Sequence, residues 1–369
     1  MKPKVSRSLR RVAVAAASSV LIAACGSSSS SSSSGSSSAS VSGSASSTTS
    51  SAAASASGKP TLLVYSAQGY DKNTVAAFQK TTGVPTKLVD DSTGPLLARI
   101  QAERANPQWG LLWVDGNEAF GALDKQGLLA KHLKSPPLNA AGQALVTPDH
   151  SFIPTGITMA CTLIYDTHQV KTPPTTWQQL LSSALKGKVG MNDPAVSGPT
   201  YPCVAGLMNY LGGVAQGEAF LKKLKANGLH VSQTNGDTLH LLQTGQISVA
   251  LIQSSAAIGA AKTTPGFKVA YLPKLTELPG GIGVDAKAPA AVRQEAQQFI
   301  NFVLSSTGQK EMQTGDPTGD SLFWPTLASG SPLPGLPALS SISKQSIDPY
   351  TWGPREPSIN SWFTANIAR

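Results

Sequence analysis

Short apolar runs alternate with polar loops and amphipathic segments through the first part of the chain. Runs rich in strand formers at 61–65, 86–89 and 110–114 are each followed by a polar break. After each break, apolar residues recur at the three- and four-residue spacing of one helix face. Three strand–loop–helix units in succession predict a parallel sheet with helices on its faces. The predicted helices cover 74–82, 96–104 and 118–126.

The pattern then changes, because the β-prone run at 158–165 has no amphipathic helix after it. We interpret this change as the chain crossing into a second domain, with a hinge near 155–156. The run at 269–272 predicts the strand that crosses back, with the second hinge position near 272–273. A chain that leaves its first domain, forms a second one and then returns to the first predicts a molecule of two hinged lobes.

The N-terminus has a basic head, an apolar run from Val12 to Ala24, and then Cys25 and a serine-rich tract. The apolar run is too short to span a bilayer, and the order of these features is typical of a secretion signal. It resembles a bacterial lipoprotein signal, which implies that Cys25 is lipidated and anchors the protein to a membrane. The alternative is an ordinary secretory signal with an incidental cysteine. The tract after Cys25 lacks the apolar surface needed to fold, which predicts a flexible tether.

The remaining body of about 310 residues is long enough for two domains, each with its own core. Its C-terminal end is rich in Pro and Gly but carries Trp352 and Trp362, which predicts a packed tail. The predicted segments are a signal peptide at 1–24, the lipidated Cys25 and tether at 25–58, lobe 1 at 59–155 plus about 273–328, lobe 2 at 156–272, and a tail at 329–369 packed on the lobes.

The net charge of +9 overstates how basic the folded part is. Five of the 29 Lys and Arg lie in the signal, which has no Asp or Glu, so 24 basic face 20 acidic residues, or +4. No basic block or aromatic-interleaved basic stripe occurs, which argues against a nucleic-acid partner. Cys161 and Cys203 are a candidate disulfide in an oxidising compartment, with two small buried side chains as the alternative. No CxxC or Cys/His cluster indicates a metal site, and no cofactor is expected.

Several predicted strands end in a short polar loop that begins a helix. In open α/β sheets ligands bind beyond the carboxyl ends of the strands, where such loops gather. Helix N-termini there offer free N–H groups and a partial positive charge that suit an anion. Each loop taken alone is also explained as a helix cap and turn. The candidate ligand-binding residues are Ser66, Gln68, Asp91, Ser92, Thr93, Asp115, Asn192, Asp193, Ser197, Gly198, Thr200, Tyr201 and Ser254.

Four stretches carry a resemblance to a known family: 63–67, 91–103, 106–116 and 192–198. With them, the body resembles a solute-binding protein of a bacterial ABC importer, in the branch of ferric-iron and 2-aminoethylphosphonate binders. The resemblance implies an α/β type 2 periplasmic-binding fold, each lobe a mainly parallel sheet flanked by helices, joined by hinge strands. It also implies a monomeric, extracytoplasmic binding protein, not an enzyme, whose partners are a small solute and an ABC permease.

The resemblance leaves two ligand classes open. Iron binders of the family place two adjacent tyrosines in the second lobe, whereas Tyr201 and Tyr210 are separated here. Phosphonate binders are more similar in the Asp-Ser-Thr-Gly and Asp-Pro-Ala-Val-Ser-Gly stretches, which favours a small anionic or zwitterionic solute. On that reading, the oxyanion donors are Ser66, Ser92, Thr93, Ser197, Gly198 and Thr200. The acids that would meet an amine are Asp91, Asp115 or Asp193, although Asp193 also fits a turn cap before Pro194.

Two other classes of function are alternatives. A secreted hydrolase needs an activated nucleophile or a carboxylate pair, and neither Gly-x-Ser-x-Gly nor His-Glu-x-x-His occurs. A surface adhesion lipoprotein would share the anchor, but repeated strand–polar loop–helix units build a cleft and not an adhesive face.

Overall fold

The computed structural model describes residues 58–369. The predictions for the signal peptide, Cys25 and most of the tether therefore lie outside the described residues. Within the described part, no helix is both long and apolar enough to cross a membrane. The strands are β1 (Leu62–Ser66), β2 (Thr86–Asp90), β3 (Leu111–Asp115), β4 (Phe152–Met159), β5 (Thr162–Asp166), β6 (Val189–Asn192), β7 (His230–Ser232), β8 (Val249–Ile252), β9 (Phe267–Ala270), β10 (Leu275–Val284), β11 (Trp324–Pro325) and β12 (Lys344–Gln345). The α-helices are α1 (Asp71–Thr82), α2 (Thr93–Ala102), α3 (Asn117–Lys125), α4 (Ala140–Gln143), α5 (Thr200–Tyr210), α6 (Val214–Ala226), α7 (Asn235–Gln243), α8 (Ser254–Thr263), α9 (Ala290–Val303), α10 (Ser306–Gly315), α11 (Pro349–Trp352) and α12 (Glu356–Phe363).

The strands form two sheets. The larger has the order β11-β4-β10-β3-β1-β2, with β12 pairing with β10 off this path. The smaller has the order β7-β6-β8-β5-β9. All five residues of the central strand β3 are buried, as expected for a strand covered on both faces. We call the parts of the chain built on the larger and the smaller sheet lobe 1 and lobe 2.

The α/β two-lobe fold is confirmed, but the sheets are mixed and not mainly parallel. In lobe 1, β1 runs parallel to β2 and β3, whereas β10 runs antiparallel to both β3 and β4. In lobe 2, β6 runs parallel to β7 and β8, whereas β5 is antiparallel to β8 and β9. The antiparallel strands flank the two crossings between lobes, with β4 and β5 at the first and β9 and β10 at the second. Each crossing joins strands of different sheets, so it does not need the crossover helix that connects parallel strands of one sheet.

The run at 158–165 is two strands and not one. β4 stays in the larger sheet as far as Met159, and Cys161 then turns with a φ of 58° before β5 enters the smaller sheet. The return crossing follows β9, so the returning strand is β10 and not 269–272. The lobe boundaries predicted near 156 and 272 stay predictions, and the sheets change partners at 160–161 and 271–274.

A disulfide joins Cys161, at the first crossing, to Cys203 in α5, with their Cα atoms 5.2 Å apart. The crosslink fixes the start of lobe 2 to the helix whose N-terminus faces the cavity described below. The sequence left this pairing open because it carried no information on the distance between the two residues.

The C-terminal segment from 329 contacts both lobes. β12 pairs in parallel with the first residues of β10, and the Lys344 ammonium lies 2.5 Å from the Glu277 carboxylate. Tyr350 Oη donates to Asp124 Oδ2 of lobe 1 over 2.9 Å. Phe363 is fully buried in the apolar cluster of lobe 2. Of the two tryptophans behind the tail prediction, Trp352 is buried in the same cluster and Trp362 is partly buried against it.

Candidate functional site

A cavity of about 140 Å³ lies where loops of the two lobes meet. Polar and small residues dominate its wall, and none of the lining residues is Lys, Arg or His. The lining residues are Ala67, Ser92, Thr93, Asp115, Ser197, Gly198, Pro199, Gln233, Thr234, Asn235, Gln253 and Asp320.

The lining residues follow the carboxyl ends of strands from both sheets. Thr93 follows β2 and Asp115 ends β3 in lobe 1, whereas Ser197, Asn235 and Gln253 follow β6, β7 and β8 in lobe 2. Parallel strands end at the same edge of a sheet, so their loops converge there. The topology thus gathers residues that are far apart in sequence around one small volume.

Four helices begin at this cavity. Thr93 and Asn235 are the first residues of α2 and α7, Pro199 directly precedes α5, and Gln253 directly precedes α8. The first turn of a helix carries N–H groups without intrahelical partners and a partial positive charge. An anion beside these helix starts would therefore meet N–H donors and partial positive charge, although no cationic side chain lines the cavity.

The hydroxyl groups at these helix starts are used differently. Ser92 is the N-cap of α2, but its side chain makes no capping hydrogen bond, and its N–H donates to Asp91 Oδ1 over 2.7 Å. Thr234 caps α7 in a capping box with Asp237. The cap explanation therefore accounts for Thr234, whereas the Ser92 hydroxyl remains free for a ligand.

Asp115 is held by two amide side chains, one from each lobe. Gln68 Nε2 of lobe 1 donates to Oδ1 over 2.9 Å, and Gln253 Nε2 of lobe 2 donates to Oδ2 over 2.8 Å. Burial raises the pKa of Asp115 above its usual value, the nearby Asp320 carboxylate raises it further, and the two amide donors oppose the shift.

Asp320 lies in the turn between α10 and β11. It therefore comes from neither a strand end nor a helix start. Its Oδ2 accepts from Gly69 N over 2.8 Å, and its Oδ1 accepts from Ser255 Oγ of lobe 2 over 3.3 Å. Burial raises the pKa of Asp320, and Asp316 adds to the shift. The cavity lining thus combines neutral polar residues with two carboxylates.

The lobes are closed on each other in this structure. Gly94 N of lobe 1 donates to Val196 O of lobe 2 over 3.3 Å. A Cβ on Gly94 would lie 2.1 Å from Ala195 O, and a Cβ on Gly198 would lie 2.1 Å from Thr93 Oγ1. The two glycines therefore permit a backbone contact between lobes that larger residues would block.

Five of the residues predicted from the sequence line the cavity, and two line a neighbouring outer pocket. The outer pocket, of about 440 Å³, shares Ala67, Ser92 and Asp320 with the cavity. The predicted residues in the cavity wall are Ser92, Thr93, Asp115, Ser197 and Gly198, and those in the outer pocket besides Ser92 are Gln68 and Asp91.

The other six predicted residues do not line either space. Asn192 Nδ2 donates to Ser197 Oγ over 3.2 Å and so positions a cavity residue. Asp193 Oδ1 accepts from Ala195 N over 2.9 Å, which is the turn-cap role. Ser66, Thr200 and Ser254 are buried, and Ser254 Oγ accepts from Met159 N.

Tyr201 is the clearest departure from the predicted site. It is 1% exposed, and its hydroxyl donates to Trp352 O over 2.5 Å. The residue therefore packs between α5 and the C-terminal segment and does not lie over a ligand. The pattern misled because the position is one residue beyond the loop, where the helix turns its side chain into the core.

Besides Ala67 and Pro199, five polar residues of the cavity were not among the predicted site residues: Gln233, Thr234, Asn235, Gln253 and Asp320. The first three follow β7, a three-residue strand too short for the apolar pattern to reveal. Gln253 follows β8, and its position after a strand was a usable signal. Asp320 follows a helix, so the rule of strand carboxyl ends does not point to it.

Among residues 58–369, no group of three His, Cys, Asp or Glu side chains is placed to hold a metal ion. The two tyrosines considered for iron do not line the cavity, since Tyr201 is buried elsewhere and Tyr210 is exposed on α5.

Comparison with known proteins agrees with this architecture. A periplasmic protein of Salmonella paratyphi A, whose name gives 2-aminoethylphosphonate binding as a provisional assignment, is 26% identical over 239 residues, covering 63% of this chain and 68% of that protein. Iron-bound HitA from Pseudomonas aeruginosa superposes with a TM-score of 0.68 at 23% identity, over 82% of this chain and 98% of HitA. AfuA from Actinobacillus pleuropneumoniae, with fructose-6-phosphate bound, gives 0.72 at 19% identity, over 83% and 98%. At such identities the two structures show the fold alone. The family model of bacterial extracellular solute-binding proteins matches residues 73–329, and the chain belongs to that family.

Proposed function

We propose that this protein is the membrane-tethered solute-binding component of an ABC importer and captures a small anionic or zwitterionic solute by closing its two lobes. One observation carries the proposal: a cavity between the lobes where four helices begin and free hydroxyl groups meet two carboxylates. Helix N-termini and hydroxyl groups suit a phosphonate or another compact oxyanion. The carboxylates suit an amine at the other end of the ligand.

The provisional name of the Salmonella relative supports 2-aminoethylphosphonate as the first compound to test. The volume of about 140 Å³ favours a compact molecule of this kind over a large one. The disulfide between Cys161 and Cys203 supports an extracytoplasmic location, because disulfides persist in oxidising compartments.

The proposed cycle follows from the closed contacts. A ligand would enter between open lobes, and closure would bring Ser92 and Thr93 of lobe 1 opposite Ser197 of lobe 2. A permease can distinguish the ligand-bound protein by its closed lobes only if the ligand binds the closed form better than the open one. Contacts from both lobes to one ligand supply that difference.

A thermal-shift screen of the purified chain tests the proposal. The panel contains 2-aminoethylphosphonate, phosphate, a sulfonate, amino acids, polyamines, thiamin and ferric citrate. A ligand at a hundred times its dissociation constant stabilises the native state by about 2.7 kcal/mol, which raises the melting temperature measurably. Ser92→Ala and Ser197→Ala should reduce the shift with the phosphonate. A shift with ferric citrate alone would overturn the anion assignment, and no shift at all would count against a small-solute binder.

The proposed anchor is tested separately. We expect the chain in bacterial membranes to move to the soluble extracytoplasmic fraction when Cys25 is replaced by Ser. Retention of the Cys25→Ser variant in the membrane would contradict lipidation at this residue.

A further inference from the structure

The charged side chains that line the cavity are all acidic. Asp115 and Asp320 line it together, and its wall contains no cationic side chain. Their hydrogen-bond donors are all neutral: the amides of Gln68 and Gln253, the Gly69 N–H and the Ser255 hydroxyl. Neutral donors satisfy the carboxylate oxygens but do not cancel the charge.

Both carboxylates are also bridged across the lobes. Asp115 receives Gln253 from lobe 2, and Asp320 receives Ser255 from lobe 2, although both acids belong to lobe 1. Closing the lobes therefore removes water from two like charges at the moment that it completes their hydrogen bonds. An opposite charge within about 4–6 Å would relieve this penalty.

The outer pocket extends the same acidic wall. Asp71 lines it and is 1% exposed, and its Oδ2 has no hydrogen-bond partner among the described residues. Asp91 lines the same pocket, whose one cation, Lys72, is already paired with Asp90 over 2.8 Å. An unpartnered buried carboxylate oxygen next to the cavity is a second, independent sign that a cationic group belongs there.

From these contacts we infer that Asp115 and Asp320 act as a cation-selecting pair that makes lobe closure conditional on an ammonium group in the ligand. The inference rests on the proposed function and narrows it: the cavity takes aminated phosphonates and discriminates against the same acid without its amine. The helix N-termini bind the anionic end, and the two carboxylates decide whether the lobes stay closed around it.

Matched ligands separate the two ends of the site. By calorimetry, 2-aminoethylphosphonate should bind the full chain about 10- to 100-fold more tightly than ethylphosphonate, as expected for a hydrogen-bonded charge pair. Asp320→Asn and Asp115→Asn should each bring that ratio to within about threefold, because the amine loses a charged partner and ethylphosphonate no longer meets the full penalty of closing on two carboxylates. Glu218→Gln, which removes a carboxylate from α6 in lobe 2 outside the cavity wall, is the control and should keep the wild-type ratio.

Small-angle scattering gives a readout that does not depend on affinity. The ligand-free wild-type chain should be more expanded than its complex with 2-aminoethylphosphonate. The ligand-free Asp115→Asn/Asp320→Asn double variant should approach the compact dimension without ligand, because neutral side chains remove the penalty of closure. A double variant as expanded as the wild type would overturn the coupling between charge and closure.

The remaining outcomes distinguish this inference from the proposed function. Equal binding of ethylphosphonate and 2-aminoethylphosphonate would overturn the cation selection and leave the anion site standing. Binding of ethylammonium alone with full affinity would support the carboxylate pair and overturn the phosphonate assignment. Binding of none of the three compounds would overturn both.

Discussion

Gly198 of lobe 2 lies against Thr93 of lobe 1 so closely that a Cβ on the glycine would come 2.1 Å from Thr93 Oγ1. The two residues come from different lobes, so the contact forms part of the boundary between the lobes. We therefore expect a substitution at Gly198 to act mainly on lobe closure.

Gly198→Ala should weaken the binding of 2-aminoethylphosphonate by about 10-fold, because overpacking costs typically about 1–3 kcal/mol and here falls on the closed state. Calorimetry would measure the change, and the melting temperature without ligand should stay close to that of the wild type. The control is Gly236→Ala, whose added Cβ would lie 3.6 Å from Thr234 Oγ1, an ordinary contact. Unchanged affinity in Gly198→Ala would show that the closed contact is not required.

Loss of the Cys161–Cys203 disulfide should destabilise the protein by about 4 kcal/mol, from the entropy of a loop with a sequence separation of 42 residues. Urea unfolding of the Cys161→Ala/Cys203→Ala variant measures the loss. A reductant should lower the stability of the wild type and leave that variant unaffected. Equal sensitivity of the two proteins to the reductant would contradict the assignment.

The stability of the ligand-free protein should fall as the pH rises from about 4.5 to 8. Burial raises the pKa of Glu118 to about 7, and burial together with Glu118 raises the pKa of Glu356 to about 8. Because each folded-state pKa exceeds its unfolded value, the folded chain binds more protons in this range and loses stability as they leave. Glu118 alone should account for roughly 3 kcal/mol of this loss in the free energy of unfolding.

Glu118→Gln, which stands in for the protonated acid, should flatten this pH dependence. Thermal unfolding across the range measures it. Asp149→Asn is the contrasting variant, since hydrogen bonds and the charge of Lys131 outweigh burial and hold the pKa of Asp149 at about 2, below the range. A Glu118→Gln variant with the wild-type slope would refute the role of this carboxylate.

Phe363→Ala should cost about 3–5 kcal/mol, because the side chain is fully buried in the lobe 2 cluster and its removal leaves a cavity. The residue lies beyond the family match, which ends at 329. Denaturant unfolding measures the loss, with Tyr210→Ala, at a position 43% exposed, as a control that should change stability by less than about 0.5 kcal/mol. A small effect at Phe363 would mean that the tail does not stabilise the lobe.

The local pattern of the chain determined the alternation of strands and helices, the two-lobe class and part of the cavity. Ser92, Thr93, Asp115, Ser197 and Gly198 could be predicted because each ends or follows a strand, and the geometry of a sheet brings such positions to one edge. The period of hydrophobic residues predicts these positions because the period depends only on residues within one helix or strand.

Only the tertiary structure decided the rest. It brought Asp320 and Asp115 to the same cavity, turned Tyr201 into the core against Trp352, and made both sheets mixed. These outcomes depend on contacts between residues separated by more than eighty positions, and such contacts leave no periodic trace in the sequence. The electrostatic properties of the cavity follow from these contacts. The pKa of a carboxylate depends on the water that it loses and on the groups that surround it after folding.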